Sequence, residues 1–267
     1  MTAKGLNGRV AFVTGGLRGI GLACAQRLAA DGAAVVVCDL DSADAAAPIL
    51  SAIAPTASYI RVDVAQESDW QTALDHVTRL HGKLHILVNN AGTDLTGAVE
   101  TMALEDWRRI MAINVDGVFL GTRTFTPLLA ASGGDVMGGA SIINVSSIMG
   151  LVGMSEVSAY NASKGAVRMF TKGIAMEFAA KKMPIRANSL HPGFVETPLL
   201  RAGFQRWVDK GIAERVEDLI DGMNAATPIG RLARPEEIAG PVAFLAGPDS
   251  SYMTGAELVI DGGWTAQ

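Results

Sequence analysis

Two periods alternate along this chain of 267 residues. Short β-branched, apolar runs recur at 9–14, 33–39, 59–64, 84–88, 140–145, 185–191 and 257–260, and each reads as a buried strand. Helical spacing fills the gaps. It runs from the glycines near residue 19 to about Ala30. Over 66–81 it places Trp70, Leu74, Val77 and Leu80 on one side. It continues as two long helices at 104–131 and 155–182. Pro235 opens a last helix with Glu236 and Glu237 in its first turn, where acidic groups meet the positive end of the helix dipole. An Ala-rich stretch interrupted by Pro48 predicts a short helix after the second strand. Residues 194–226 show no clean period and mix Phe194, Leu199, Leu200, Phe204 and Trp207 with charges, which reads either as a substrate lid or as an irregular surface loop.

Strands alternating with helices predict an α/β fold: a Rossmann-type, doubly wound parallel sheet of about seven strands. No repeat or linker divides the chain. The expectation is a single domain over 1–267, with one half at about 1–145, a second at about 146–267 and the lid at 194–226.

Composition narrows the classes. Hydrophobic residues make up 49% and charged residues 18%, enough to bury a core. The net charge is −5 with no basic cluster, which argues against nucleic acid and anionic membranes as partners. No apolar run approaches the roughly 20 residues that span a bilayer, and the first strand begins too early to leave room for a signal peptide. The expected location is the cytoplasm. Cys24 and Cys38 lack metal or redox spacing and read as buried thiols. His76, His81, His85 and His191 are scattered, so no metal site is expected.

The candidate chemistry sits at strand ends. The first strand runs into Gly15-Gly16-Leu17-Arg18-Gly19-Ile20-Gly21 and then a helix, the context of a dinucleotide turn. Gly15 allows the tight turn, Gly19 removes bulk beside a pyrophosphate, and Gly21 lets helix and strand approach. Asp39 ends the second strand, where a carboxylate accepts from ribose hydroxyls and repels a 2′-phosphate. That favours NAD over NADP. Arg18 argues for NADP, since a guanidinium could grip the phosphate. Asn89-Asn90-Ala91-Gly92 closes the fourth strand. Asn114 falls in mid-helix, where it either satisfies backbone groups or serves a site. Tyr160 and Lys164, four apart, share a helix face, and Ser147 lies thirteen residues earlier at a strand's end. An ammonium beside a phenol is expected to lower its pKa and make Tyr160 a general acid/base.

These motifs, in this order, resemble the short-chain dehydrogenase/reductase family over nearly the full length. The matching residues are Thr14-Gly15 with Gly19 and Gly21, Asp63-Val64, Asn89 to Gly92, Asn114, Ser147, Tyr160 with Lys164, Pro192-Gly193 with Thr197, and Asp261-Gly262-Gly263. The resemblance implies that Tyr160 is the acid/base and that Ser147 steadies the substrate oxygen. Lys164 would hold the nicotinamide ribose, and Asn114 a relay water. It implies cofactor contacts at Gly15, Arg18, Gly19, Ile20, Gly21, Asp39, Asp63, Val64, Asn90, Ala91, Gly92, Tyr160, Lys164, Pro192, Gly193, Val195 and Thr197. Substrate would meet Ser147, Tyr160, Met149, Met154, Phe194 and Leu199, with Val152, Val157, Leu200 and Phe204 nearby. That apolar set favours a small hydrophobic secondary alcohol or ketone, of the cyclic-alcohol, aryl-alcohol or hydroxysteroid kind. Glu156 faces either the cleft or solvent. The alternative reactions are an NADPH-dependent reduction of 3-oxoacyl groups on a carrier protein, or nucleotide sensing without catalysis. The two long helices resemble those that build the family's homotetramer.

Overall fold

The computed structural model describes residues 5–267; residues 1–4 of the stretch before the first strand lie outside the described residues. Seven strands form one parallel sheet: β1 (Val10–Thr14), β2 (Ala34–Asp39), β3 (Ser58–Arg61), β4 (Ile86–Asn89), β5 (Ala140–Val145), β6 (Ile185–Pro192) and β7 (Glu257–Ile260). Their order is β3-β2-β1-β4-β5-β6-β7. The predicted doubly wound α/β sheet is the fold observed. β1 and β4 are neighbours, with the chain winding outward from each in opposite directions. That reversal opens a crevice at the carboxyl edge of the sheet.

The helices α1 (Gly19–Ala30), α2 (Ala43–Ile53), α3 (Glu67–His81), α4 (Leu104–Met111), α5 (Gly117–Gly133), α6 (Ser158–Ala180), α7 (Pro198–Asp209), α8 (Val216–Ala226) and α9 (Pro235–Ala246) cover the sheet. One buried core lies between the strands and α1 with α9, around Leu28, Ile143 and Val242. The other lies under α3, α5 and α6, around Phe12, Trp70 and Phe125. Both faces are buried, which is why the strands read as continuous apolar runs.

Four elements differ from the sequence reading. The helix expected at 104–131 is broken by a π-helical turn at Ala112–Asp116, with Asn114 at its centre. An extra residue in a turn alters the backbone locally without ending the helix, and hydrophobic spacing hardly registers it. Residues 194–226 are not irregular, because most of the segment folds as α7 and α8. Thr197 caps α7 by accepting from Leu200 N, and Pro198 stands at the first turn. α2 runs on through Pro48, after Ser42 caps it. β3 stops at Arg61, short of the expected residue 64.

Candidate active site

The strand ends converge on one cleft of about 910 Å³ at the carboxyl edge of the sheet. Of the residues singled out in the sequence, Gly15, Arg18, Gly19, Ile20, Asp39, Asp63, Val64, Asn90, Ala91, Gly92, Ser147, Met149, Met154, Tyr160, Lys164, Pro192, Gly193, Phe194, Val195, Thr197 and Leu199 all line it. Three do not. Gly21 lies beneath the turn, where a Cβ would stand 2.0 Å from the Gly15 carbonyl oxygen. Asn114 is buried behind Gly92, its Oδ1 3.2 Å from where a Gly92 Cβ would sit. Val152 points outward and is exposed. Glu156 is also absent from the lining, and its carbonyl accepts from Gly97 N at 2.8 Å.

At one end, the first turn of α1 opens toward the cleft with no side chain capping it. Its leading amides therefore keep their donors free, beside a turn whose Gly15 and Gly19 have φ of +62° and +52°. Thr14 secures this turn to β4: its Oγ1 accepts from Asn90 N and Ala91 N at 2.9 and 2.8 Å. Asn90 donates back to the Thr14 carbonyl at 2.8 Å. Asp39 accepts from Leu17 N at 3.3 Å and Leu40 N at 2.9 Å. The Arg18 guanidinium pairs with Asp41 and lies 3.7 Å from Asp39.

At the other end stand Ser147, Tyr160 and Lys164. Lys164 is 5% exposed, and its Nζ donates to the Val145 carbonyl at 2.9 Å. Burial lowers its pKa to about 8. Ser147 lies two residues beyond β5, and its hydroxyl accepts from Met149 N at 3.1 Å. The expected lowering of the Tyr160 pKa is not what this geometry gives. Burial pushes the phenol up to about 12; Ser147 opposes that rise and the Asp94 carboxylate adds to it. Lys164 Nζ is 5.6 Å from the ring centroid. Desolvation sets the direction here, and the ammonium at this distance does not reverse it.

Asn114 does satisfy backbone groups: it accepts from Thr93 N and donates to Thr93 O, both at 2.8 Å. It also donates to Ser163 Oγ at 3.0 Å, and Ser163 in turn donates to Tyr160 O. Asn161 shapes the wall by donating to Met149 O and Val152 O at 2.6 and 2.8 Å. Asp94, which carried no sequence signal, lines the cleft and pairs with Arg206 of α7. Lys210, just past α7, donates to Thr96 O at 2.7 Å, so the helix and the residue that follows it are both tied to the segment after β4. Gly193 packs against the Asp-Gly-Gly ending: a Cβ there would meet Asp261 Cα at 2.8 Å. Asp261 in turn closes its own turn onto Thr265.

A family model described as "Enoyl-(Acyl carrier protein) reductase" matches residues 15–265. The NADP-dependent (R)-specific alcohol dehydrogenase of Lentilactobacillus kefiri is 39% identical over 264 residues, 98% of each chain. The chain belongs to the short-chain dehydrogenase/reductase family. A second relative, the 3-alpha-(or 20-beta)-hydroxysteroid dehydrogenase of Mycobacterium tuberculosis, is 40% identical over 262 residues, 98% of this chain and 91% of that one. A short-chain type dehydrogenase/reductase from Mycobacterium marinum superimposes with a TM-score of 0.88 at 35% identity, covering 99% of this chain and 98% of that one.

A short-chain dehydrogenase/reductase uses a nicotinamide dinucleotide. The residues here fit one: an uncapped helix start supplies amide donors for a pyrophosphate, and the cradle above Gly21 admits no larger side chain. Among the described residues, no helix is long and apolar enough to cross a membrane.

Proposed function

We propose that the protein is an NAD-dependent secondary-alcohol dehydrogenase and ketone reductase acting on hydrophobic cyclic alcohols, aryl alcohols or hydroxysteroids. One observation carries this reading. Ser147, Tyr160 and Lys164 share a cleft with the glycine turn, and the wall beside them is apolar, built from Met149, Met154, Phe194, Leu199 and Phe204. The names of the relatives support the substrate class, since they act on alcohols and hydroxysteroids.

Bound at the glycine turn, the dinucleotide supplies the hydride acceptor or donor. The chain supplies the rest. Ser147 Oγ hydrogen-bonds the substrate oxygen, and the Tyr160 hydroxyl exchanges a proton with it. Lys164 holds the ribose and its positive charge near the phenol, while Asn114 fixes the segment after β4 and the start of α6. The apolar wall orients the carbon skeleton and excludes water.

The pH dependence has a definite sign. A phenol pushed up to about 12 keeps its proton at neutral pH. Ketone reduction needs the protonated form and alcohol oxidation the deprotonated one. The kcat/KM for oxidation should therefore rise about tenfold per unit from about pH 6 to 8, while reduction stays flat. Initial rates in both directions check this. An oxidation plateau reached by about pH 7 would count against the high phenol pKa.

Asp39 supports NAD, because a 2′-phosphate would meet its carboxylate. Arg18, the residue that favours NADP, is engaged by Asp41. Asp39→Ala should raise kcat/KM with NADP+ at least about tenfold and lower it with NAD+. The Lentilactobacillus kefiri relative is NADP-dependent by name, so rates with both dinucleotides across the three alcohol groups are the direct test. A wild-type preference for NADP+ would sink the assignment of Asp39. The carrier-protein reading has less support, since Asp39 and the apolar wall do not fit it and the two named relatives are an alcohol and a hydroxysteroid dehydrogenase. Exposed Phe119, Met169 and Met176 on α5 and α6 support a homotetramer, which a sedimentation measurement tests.

A further inference from the structure

His191, near the carboxyl end of β6, is fully buried and does not line the cleft. Both ring nitrogens are nonetheless in use. Nδ1 lies 3.0 Å from the Ser147 carbonyl oxygen, and Nε2 lies 2.9 Å from Ser189 Oγ. A carbonyl oxygen can only accept, so Nδ1 carries the proton and Nε2 accepts from the Ser189 hydroxyl. Burial holds the imidazole below its ordinary range, which keeps it in this neutral form. The contact crosses 44 residues of chain.

The Ser147 carbonyl stands where the chain leaves β5. Its other hydrogen bond is local, from Gly150 N at 3.0 Å. That local bond fixes the shape of the short turn but not its position over the sheet. Its position comes from the neighbouring elements: Ser146 N donates to the Leu190 carbonyl and Ser146 Oγ to the Lys164 carbonyl, both at 2.8 Å. Among the described residues, the His191 bond is the one tie from β6 to the Ser147 peptide itself, β6 being paired to β5 along Ala140 to Val145. We propose that His191 is a positioning residue: its Nδ1–H, braced by Ser189, holds the Ser147 carbonyl so that the Ser147 hydroxyl stays aimed at the substrate oxygen. This rests on the role given to Ser147 above. A displacement of about 1 Å at a reacting centre can lower a rate about a hundredfold.

The test compares H191L, which removes the donor, with H191N, whose amide can replace Nδ1–H, and with S147A. In H191L, kcat for alcohol oxidation should fall about 10- to 100-fold with the KM for NAD+ within about twofold. The primary deuterium isotope effect on the carbinol hydrogen should grow. H191N should recover most of kcat. If S147A is inactive while H191L turns over within about threefold of wild type, positioning by His191 is wrong. H191N as slow as H191L would also overturn it. If S147A itself keeps its turnover, the underlying reading of the site falls instead. Should H191L fail to fold, S189A decides: it removes only the brace, and an unchanged kcat and isotope effect would refute the chain of bonds.

Discussion

Tyr160→Phe should lower kcat for both oxidation and reduction by about 10²- to 10⁴-fold, leaving dinucleotide affinity within about twofold. The substitution removes one oxygen and leaves the half-buried aromatic ring on α6. Among the described residues, the Asp94 carboxylate also lines this cleft, but it is paired with Arg206. Lys164 is a second alternative, and its Nζ is directed at the Val145 carbonyl. Three decades correspond to about 4 kcal/mol of transition-state stabilisation, a plausible share for a single acid/base group. Steady-state kinetics with a fluorescence titration of NADH separates chemistry from binding. A Phe variant that turned over at the wild-type rate would remove Tyr160 from the mechanism.

Gly21→Ala should weaken dinucleotide binding about a hundredfold or more and lower the melting temperature. The added Cβ would fall 2.0 Å from the Gly15 carbonyl oxygen and 2.5 Å from Asn90 Nδ2. Neither can yield cheaply. Gly15 belongs to the turn itself, and the Asn90 amide is held by the Thr14 carbonyl at 2.8 Å. Helix α1 must move away from the turn, which displaces the free amides at its start. Overpacking of this kind costs about 1–3 kcal/mol in stability. The binding loss should be the larger effect if, as proposed, the displaced amides hold the pyrophosphate. NADH titration and a thermal melt measure the two separately. Unaltered NADH affinity in a folded G21A protein would mean that the turn is not the pyrophosphate site.

Much of this site was legible because its signals are local. A strand, a glycine turn and a helix follow one another within about twenty residues, and each follows from steric rules on its own stretch. Asp39 could be placed because the length of one helical crossover sets the distance from turn to carboxylate. The two misread helices show where local signals fail. In 194–226, charges and aromatics mix because α7 packs Phe204 inward while pairing Arg206 with Asp94. Such a helix faces a cleft and solvent together, so its period blurs. The π turn at Asn114 leaves the apolar spacing nearly intact and so leaves no trace in the pattern.

The sequence by itself determined the parallel sheet and the glycine turn between β1 and α1, and it singled out Ser147, Tyr160 and Lys164 as candidates, because hydrophobic period and short motifs act over a few residues. The tertiary structure alone decided how those groups are tuned. The pairing of Asp94 with Arg206 joins residues 112 apart in the chain. The bond from His191 to Ser147 joins two neighbouring strands. The direction of the Tyr160 shift followed from burial, which neighbours from several elements create together. Sequence spacing places an ammonium one helical turn from a phenol, but only packing determines where that ammonium points and how much water the phenol keeps.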